Sequence, residues 1–249
     1  MFIICFILFF ATIWILRSLL TEIFKDKVAG TVTAMLFALL FPHFEIAGGY
    51  YYDFGEIFFF FLAARLALHG NFIALLILTP FAEWNKESFF FYLATLFPLW
   101  RKHFDLKKSG AITVCSIFIA GLAYLYVRQM FIDNRGDPAD FQLFAHLYGF
   151  FELSSYFKTD PIYGVPLFSR MFVLHIIYVL FIIKTSWHNL SDEWKGHAKF
   201  AAVVNGILYF LFILPGELRD LSMLYTSFLI LTGYFLRDIF SRQYREGEN

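Results

Sequence analysis

Cysteine is nearly absent from this 249-residue chain. Cys5 and Cys115 each sit inside an apolar run, which argues against a disulfide framework and against a thiolate metal site. The seven histidines, at positions 43, 69, 103, 146, 175, 188 and 197, include no HExxH or other close ligand pair, so nothing argues for zinc or haem. A glycine-rich phosphate loop and a GxSxG element are missing too, which removes two common routes to nucleotide and acyl chemistry. Charged residues make up only 16% of the chain, and the basic ones fall in short clusters between apolar runs. That placement suits membrane orientation rather than nucleic acid. No cofactor is expected, although acids gathered on one side of a membrane leave a divalent metal open.

What the chain has in abundance is apolar length. Hydrophobic residues make up 59% and aromatic residues 22%, and runs long enough to cross a bilayer recur from end to end. The expected fold class is therefore all-α: a polytopic transmembrane bundle, with residues 1–249 forming a single integral membrane domain. Residues 2–16 resemble the apolar part of a signal peptide, but no basic residue precedes them and no small-residue cleavage site follows. They read as a retained first span.

In chain order, helices are predicted over Phe2–Leu20, Val28–Ala47, Phe54–His69, Ala111–Phe131, Leu167–Ile183 and Phe200–Leu214, with a last one after Asp220. Residues 71–83 and 87–100 are each short of the roughly 20 residues that a perpendicular span needs. They read as a helical hairpin or as one long helix with a charged middle. Charge decides, because cytoplasmic loops collect Lys and Arg. The hairpin puts Arg101, Lys102, Lys107 and Lys108 on the side of Lys25 and Lys27. Nine helices result, with the N-terminus outside and the C-terminus inside, in what would be a bacterial inner membrane. The inner side then holds fourteen basic residues against eight acids, and the outer side six against twelve.

On this topology Tyr50–Glu56, Glu83–Glu87, the loop Asp133–Asp140 and the turn Glu217–Asp220 open on one face. Asp53 and Glu56 are three residues apart and Glu83 and Glu87 four, so each pair shares one side of a helix. Paired carboxylates at a low-dielectric wall suit general acid or base work. Lys86 and Arg219 add positive charge, and a guanidinium matches a phosphate with two hydrogen bonds. Each feature has a plainer reading. Asp53 reads equally as a helix N-cap, Glu83, Lys86 and Glu87 as a self-paired turn, and Glu217, Arg219 and Asp220 as a solvated one.

Tyr51-Tyr52-Asp53 entering a helix, the vertex Asn85-Lys86-Glu87-Ser88 and the turn Gly216-Glu217-Leu218-Arg219 together resemble elements of bacterial polytopic membrane proteins related to the GT-C glycosyltransferase superfamily. The resemblance covers most of residues 48–222. It implies transfer of a sugar from a polyprenyl-phosphate carrier to an acceptor on the outer face, with membrane lipid and a lipid-linked donor as partners. Asp53 would be the base, and Glu87 with Lys86 and Arg219 would grip the carrier phosphate and sugar. Tyr52, Glu56, Glu83, Asn85 and Glu217 would line the substrate site. The chain departs from the pattern at its start, where the usual first helix and the acidic outer loop have no counterpart. Two further classes remain open: a transporter or permease subunit using the Glu/Lys vertex, and a structural subunit with partner membrane proteins.

Overall fold

The computed structural model describes residues 2–45, 51–133, 140–157, 159–162, 165–168, 173–215 and 217–246. The expected Gly48-Gly49-Tyr50 segment, Arg135, Asp137 and Gly216 lie outside them. The fold is all-α apart from one short β-ribbon. In order the helices are α1 (Phe2–Phe24), α2 (Lys27–Glu45), α3 (Tyr51–Leu68), α4 (Phe72–Asn85), α5 (Ser88–Thr95), α6 (Phe97–Trp100), α7 (Leu106–Met130) and α8 (Leu143–Phe151). Strands β1 (Thr159–Ile162) and β2 (Val165–Phe168) pair antiparallel, and α9 (Val173–Ser186), α10 (Asp192–Phe212) and α11 (Ser222–Glu246) complete the chain. A 3-10 turn, Leu218–Leu221, leads into α11.

Helix starts follow local capping chemistry. Asp26 accepts hydrogen bonds from the Val28 and Ala29 amides at the head of α2, Asn71 from Ala74 at α4, and Asp105 from Lys108 at α7. These side chains satisfy amides that a first helical turn leaves without partners. Replacing Asp105 with alanine is expected to cost about 1 kcal/mol, the usual worth of such a cap, as read by denaturant titration in detergent.

Ring and hydrogen-bond contacts fix how the helices run. Phe9 meets Phe41 and Phe54, while Glu22 near the end of α1 pairs with His69 just past α3. Helices α1 and α3 are therefore parallel, and α2, whose Phe41 meets Phe9 near the start of α1, runs antiparallel to both. Lys86 takes an extended conformation that ends α4, and the chain turns back through α5 and α6. Phe72 consequently lies against Phe104, and the Leu68 carbonyl against His103 Nε2. The 71–100 segment is a hairpin with its vertex at Lys86–Glu87. Gly70, at φ 69°, makes the turn at its base, where a Cβ would also meet the His103 ring.

The core is rich in phenylalanine. Phe37 packs edge-on to Phe61, and Phe60 stacks on Tyr92 at 4.0 Å, joining α2, α3 and α5. His197 of α10 is fully buried; its Nδ1 lies 2.7 Å from Ser227 Oγ, linking α10 to α11.

Three expectations need correction. Leu167 and Phe168, expected to open a helix, lie in β2 (Val165–Phe168), and the described helix that follows is α9, Val173–Ser186. The loop expected over Lys184–Lys199 is largely helical, because Ser191 is extended and Asp192 and Glu193 supply the negative charge that favours a helix start. The expected loop 132–166 contains α8, seated where His146 Nε2 lies within hydrogen-bonding reach of the Tyr209 and Ile213 carbonyls at the end of α10. Among the described residues, two segments, Ile3–Phe24 and Leu106–Met130, are long and apolar enough to cross a membrane.

Candidate functional site

These helix directions bring three distant segments to one end of the bundle: the start of α3, the α4–α5 vertex and the turn before α11. Asp53 and Glu56 lie in the first two turns of α3 and face inward, with Asp53 only 1% exposed. Lys86 reaches both, at 2.9 Å from Asp53 Oδ1 and 2.9 Å from Glu56 Oε2, and its Nζ also lies 3.2 Å from Asp220 Oδ1. Arg219 donates from Nη1 to Asp53 Oδ2 at 3.0 Å, and sits 3.6 Å from Glu217 and 3.7 Å from Asp220. One buried aspartate thus joins both cations.

Hydroxyls and amides complete the arrangement. Ser88 and Ser222 both donate to Glu56 Oε1. Asn85 Nδ2 donates to the Tyr52 carbonyl at 2.8 Å, and the Lys86 ammonium lies 5.4 Å from the Tyr52 ring centroid. From α10, Asn205 Nδ2 donates to the Asp220 carbonyl at 2.7 Å. Gly55 is necessary here, since a Cβ on it would overlap Asn85 Oδ1.

Two of the plainer readings of the sequence do not describe this geometry. Asp53 lies inside α3 rather than capping it, and Lys86 pairs with α3 and the Asp220 turn rather than with Glu83 or Glu87. The expected convergence holds for Tyr52, Asp53, Glu56, Asn85, Lys86, Glu217 and Arg219. It does not extend to Glu87, which is exposed at the start of α5 with no side-chain cap bond. Glu83 is buried on α4, and its carboxylate has no hydrogen-bond partner of ordinary geometry among the described residues, the Phe90 amide being the donor beside it. Asp133 and Asp140 are exposed. The sequence reading quoted Ser88 within the vertex motif without giving it a role, and did not single out Ser222 or Asn205. Asn205 had a visible signal, being a lone amide in Ala-Ala-Val-Val-Asn-Gly-Ile-Leu.

Among the described residues, Asp53, Glu56, Glu217 and Asp220 surround the two cations Lys86 and Arg219. Lys86 and Arg219 lie between helices rather than within them. Burial alone would lower their proton affinity, but the surrounding carboxylates outweigh it and hold both above their ordinary range. Stability from these pairs is therefore fully present below the unfolded lysine value of about 10.4 and is lost as pH rises beyond it. Unfolding midpoints should stay insensitive to Lys86 ionisation from neutrality to about pH 10, and a Lys86→Arg variant should extend the plateau upward. Tryptophan fluorescence against denaturant at stepped pH checks this.

No family model matches the chain. No curated protein matches it, and no solved structure does. The GT-C resemblance therefore rests on its three short motifs.

Proposed function

We propose that the chain is a multi-pass membrane protein of the glycosyltransferase-like kind, using a lipid-phosphate-linked sugar at the outer membrane face. The observation that carries this reading is that all three motifs behind the GT-C resemblance contribute to one cluster, through Asp53, Lys86 and Arg219.

Several further features support the membrane part. Large apolar side chains are exposed along α4 (Ile73, Ile77, Phe81), α7 (Val114, Phe118, Leu122) and α10 (Val203, Ile207). Patches of this extent on a soluble surface would mark an interface, and a bilayer is the partner that covers several helices at once. Helices shorter than a full span, such as α4 and α5, would share the bilayer as a hairpin. The bundle end carrying Lys25, Lys27, Arg101, Lys102, Lys107 and Lys108 is opposite the carboxylate cluster, which suits that basic end facing the cytoplasm of a bacterial inner membrane. The N-terminus would then be outside and the C-terminus inside.

In the reaction, the exposed edge of Arg219 and Lys86 stabilises the departing phosphate while a carboxylate takes the acceptor proton, giving inversion at the sugar carbon. Asp53 is a poor base, because two cations already neutralise it. Glu87, exposed beside the cluster, is better placed to accept a proton. Membranes containing the chain should transfer sugar from a polyprenyl-phosphate donor. Arg219→Gln and Glu87→Gln should each lower turnover by about 10²- to 10³-fold, the scale of losing one group that stabilises the transition state. Size-exclusion profiles of both variants should stay unchanged. Undiminished turnover in both would overturn the reading.

Glu83 favours one second reading, transport through the broken helix pair, since a carboxylate buried at membrane depth is a default candidate for an ion or proton path. Proton flux in proteoliposomes that stops in Glu83→Gln, without sugar transfer, would select it.

A further inference from the structure

At the bundle end opposite the carboxylate cluster, cations are seated on rings and carbonyls rather than on acids. Lys108 Nζ lies 4.3 Å from the Phe104 ring centroid and 5.9 Å from that of Phe72, and Arg101 donates from Nη1 to the Phe104 carbonyl at 3.0 Å. Lys107 stands exposed beside them. Among the described residues none of these three has a carboxylate within ion-pair distance, whereas Lys102 lies 3.8 Å from Glu193. The acid of the same turn, Asp105, is engaged at the head of α7, where it accepts from the Lys108 amide. A carboxylate partner would cancel the charge of an ammonium, but an aromatic face holds the ammonium in place and leaves that charge available. Lys108 is therefore a positioned cation.

Two apolar stripes run into this patch. Helical spacing sets Lys107 on one face of α7 with Val114, Phe118 and Leu122, each more than half exposed, and lines up Ile73, Ile77 and Phe81 along α4 in the same way. The two helices lie side by side: Phe72 meets Lys108 at one end, and the Trp84 and Tyr126 rings stack 20° from parallel at the other. Stripes that end together at two ammonium groups and a guanidinium match a molecule whose acyl chains follow the stripes and whose head carries negative charge. We propose that the α4–α7 face, with Lys107, Lys108 and Arg101, binds an anionic phospholipid of the inner leaflet through its phosphate. Acyl chains alone would suit any bilayer lipid. Charge makes the selection, because the cation of a choline headgroup offsets the phosphate that these side chains attract. The inference rests on the membrane part of the reading above and not on sugar transfer, since none of these three cations belongs to the carboxylate cluster.

The test is a titration of the detergent-solubilised full-length chain with phosphatidylglycerol, or with phosphatidylcholine of the same acyl chains, bound lipid being counted from the mass of the intact complex. Phosphatidylglycerol is expected to bind about tenfold or more tightly, with a preference that falls as salt rises. A basic side chain near an anionic surface is worth about fivefold in binding, so Lys107→Gln with Lys108→Gln should weaken phosphatidylglycerol binding by roughly 25-fold and leave phosphatidylcholine binding unchanged. Lys107→Arg with Lys108→Arg keeps the charge and should keep the preference, which separates lost charge from damage to the fold. Lys25→Gln with Lys27→Gln, on the α1–α2 turn of the same bundle end, should leave the preference intact. Equal losses in the two glutamine pairs would make the preference a property of overall charge and overturn the inference. A preference abolished by inorganic phosphate at matched ionic strength would assign these cations to free anions and overturn it as well. Equal binding of the two lipids overturns it while the membrane reading stands, and binding of neither overturns both. A phosphatidylglycerol preference without sugar transfer counts against the glycosyltransferase reading alone.

Discussion

Replacing Lys86 with methionine is expected to destabilise the folded protein by about 3–5 kcal/mol, the cost of breaking a buried ion pair by deleting one partner. Methionine keeps the length and packing of the lysine stem, so the loss isolates the charge. Asp53 and Glu56 would remain at 1% and 3% exposure with their shared cation gone. Arg219 still reaches Asp53 but lies on its other oxygen, and among the described residues Glu56 keeps the Ser88 and Ser222 hydroxyls. A stranded carboxylate in a low-dielectric wall is what makes this deletion expensive. Two controls give the prediction its shape. Lys102, half exposed and 3.8 Å from Glu193, should cost no more than about 1 kcal/mol when changed to methionine. Adding Asp53→Asn and Glu56→Gln to Lys86→Met should recover much of the loss, because neutral amides need no counter-charge. Denaturant titration in one detergent reads all three. Equal small losses for Lys86 and Lys102 would mean that the cluster is hydrated and contributes little.

Most of the helical architecture was legible because apolar runs are long. Asp26, Asn71 and Asp105 cap starts in the structure, but the sequence reading did not use these caps and opened the helix after Asp105 at Ala111, whereas α7 starts at Leu106. The hairpin vertex was legible for a different reason. A charged tetrad, Asn85-Lys86-Glu87-Ser88, between two apolar runs has to end a helix wherever it cannot be buried in register, and the basic residues near Arg101 required an even number of passes. Polar helices were harder to see. The first two turns of α10 carry Asp192, Glu193, Lys195, His197 and Lys199, which look like a loop by composition yet lie in one continuous helix that buries Trp194 and His197. Helix α8 was hidden because most of its apolar residues are exposed, and a few contacts with the end of α10 seat it: His146 against the Tyr209 and Ile213 carbonyls, Phe150 against Phe210, and the Gln142 amide donating to the Leu211 carbonyl.

Within the site, the sequence identified which segments meet but not which residues carry the contacts. Lys86 could have paired with Glu83 or Glu87 by spacing alone. The extended backbone at Lys86 breaks the helix register and directs the side chain across to α3, and no spacing rule contains that rotation. Asp53 was legible as a site residue and not as the bridge between two cations, because Arg219 lies 166 positions away.

The second large effect is steric. Gly55→Leu is expected to lower the proposed transfer activity by about 10²-fold, as a displacement of one ångström at a positioned group can do. It should also cost about 1–3 kcal/mol through overpacking. A Cβ at position 55 overlaps the Asn85 side-chain oxygen, and the crowding atom is anchored, since Asn85 Nδ2 holds the Tyr52 carbonyl. Asn85 must therefore leave, or α4 must move away from α3. Either change shifts the vertex one residue before Lys86, and the ammonium loses its place between Asp53 and Glu56. Leucine at an exposed helix position would raise helix propensity, so a rise in stability would argue against the close approach. Pairing Gly55→Leu with Asn85→Gly decides the cause. The double variant relieves the overlap while giving up the bond to Tyr52, so it should regain most of the stability and only part of the activity. The two effects separate because the glycine admits Asn85, whereas Asn85 itself aims the turn that delivers Lys86.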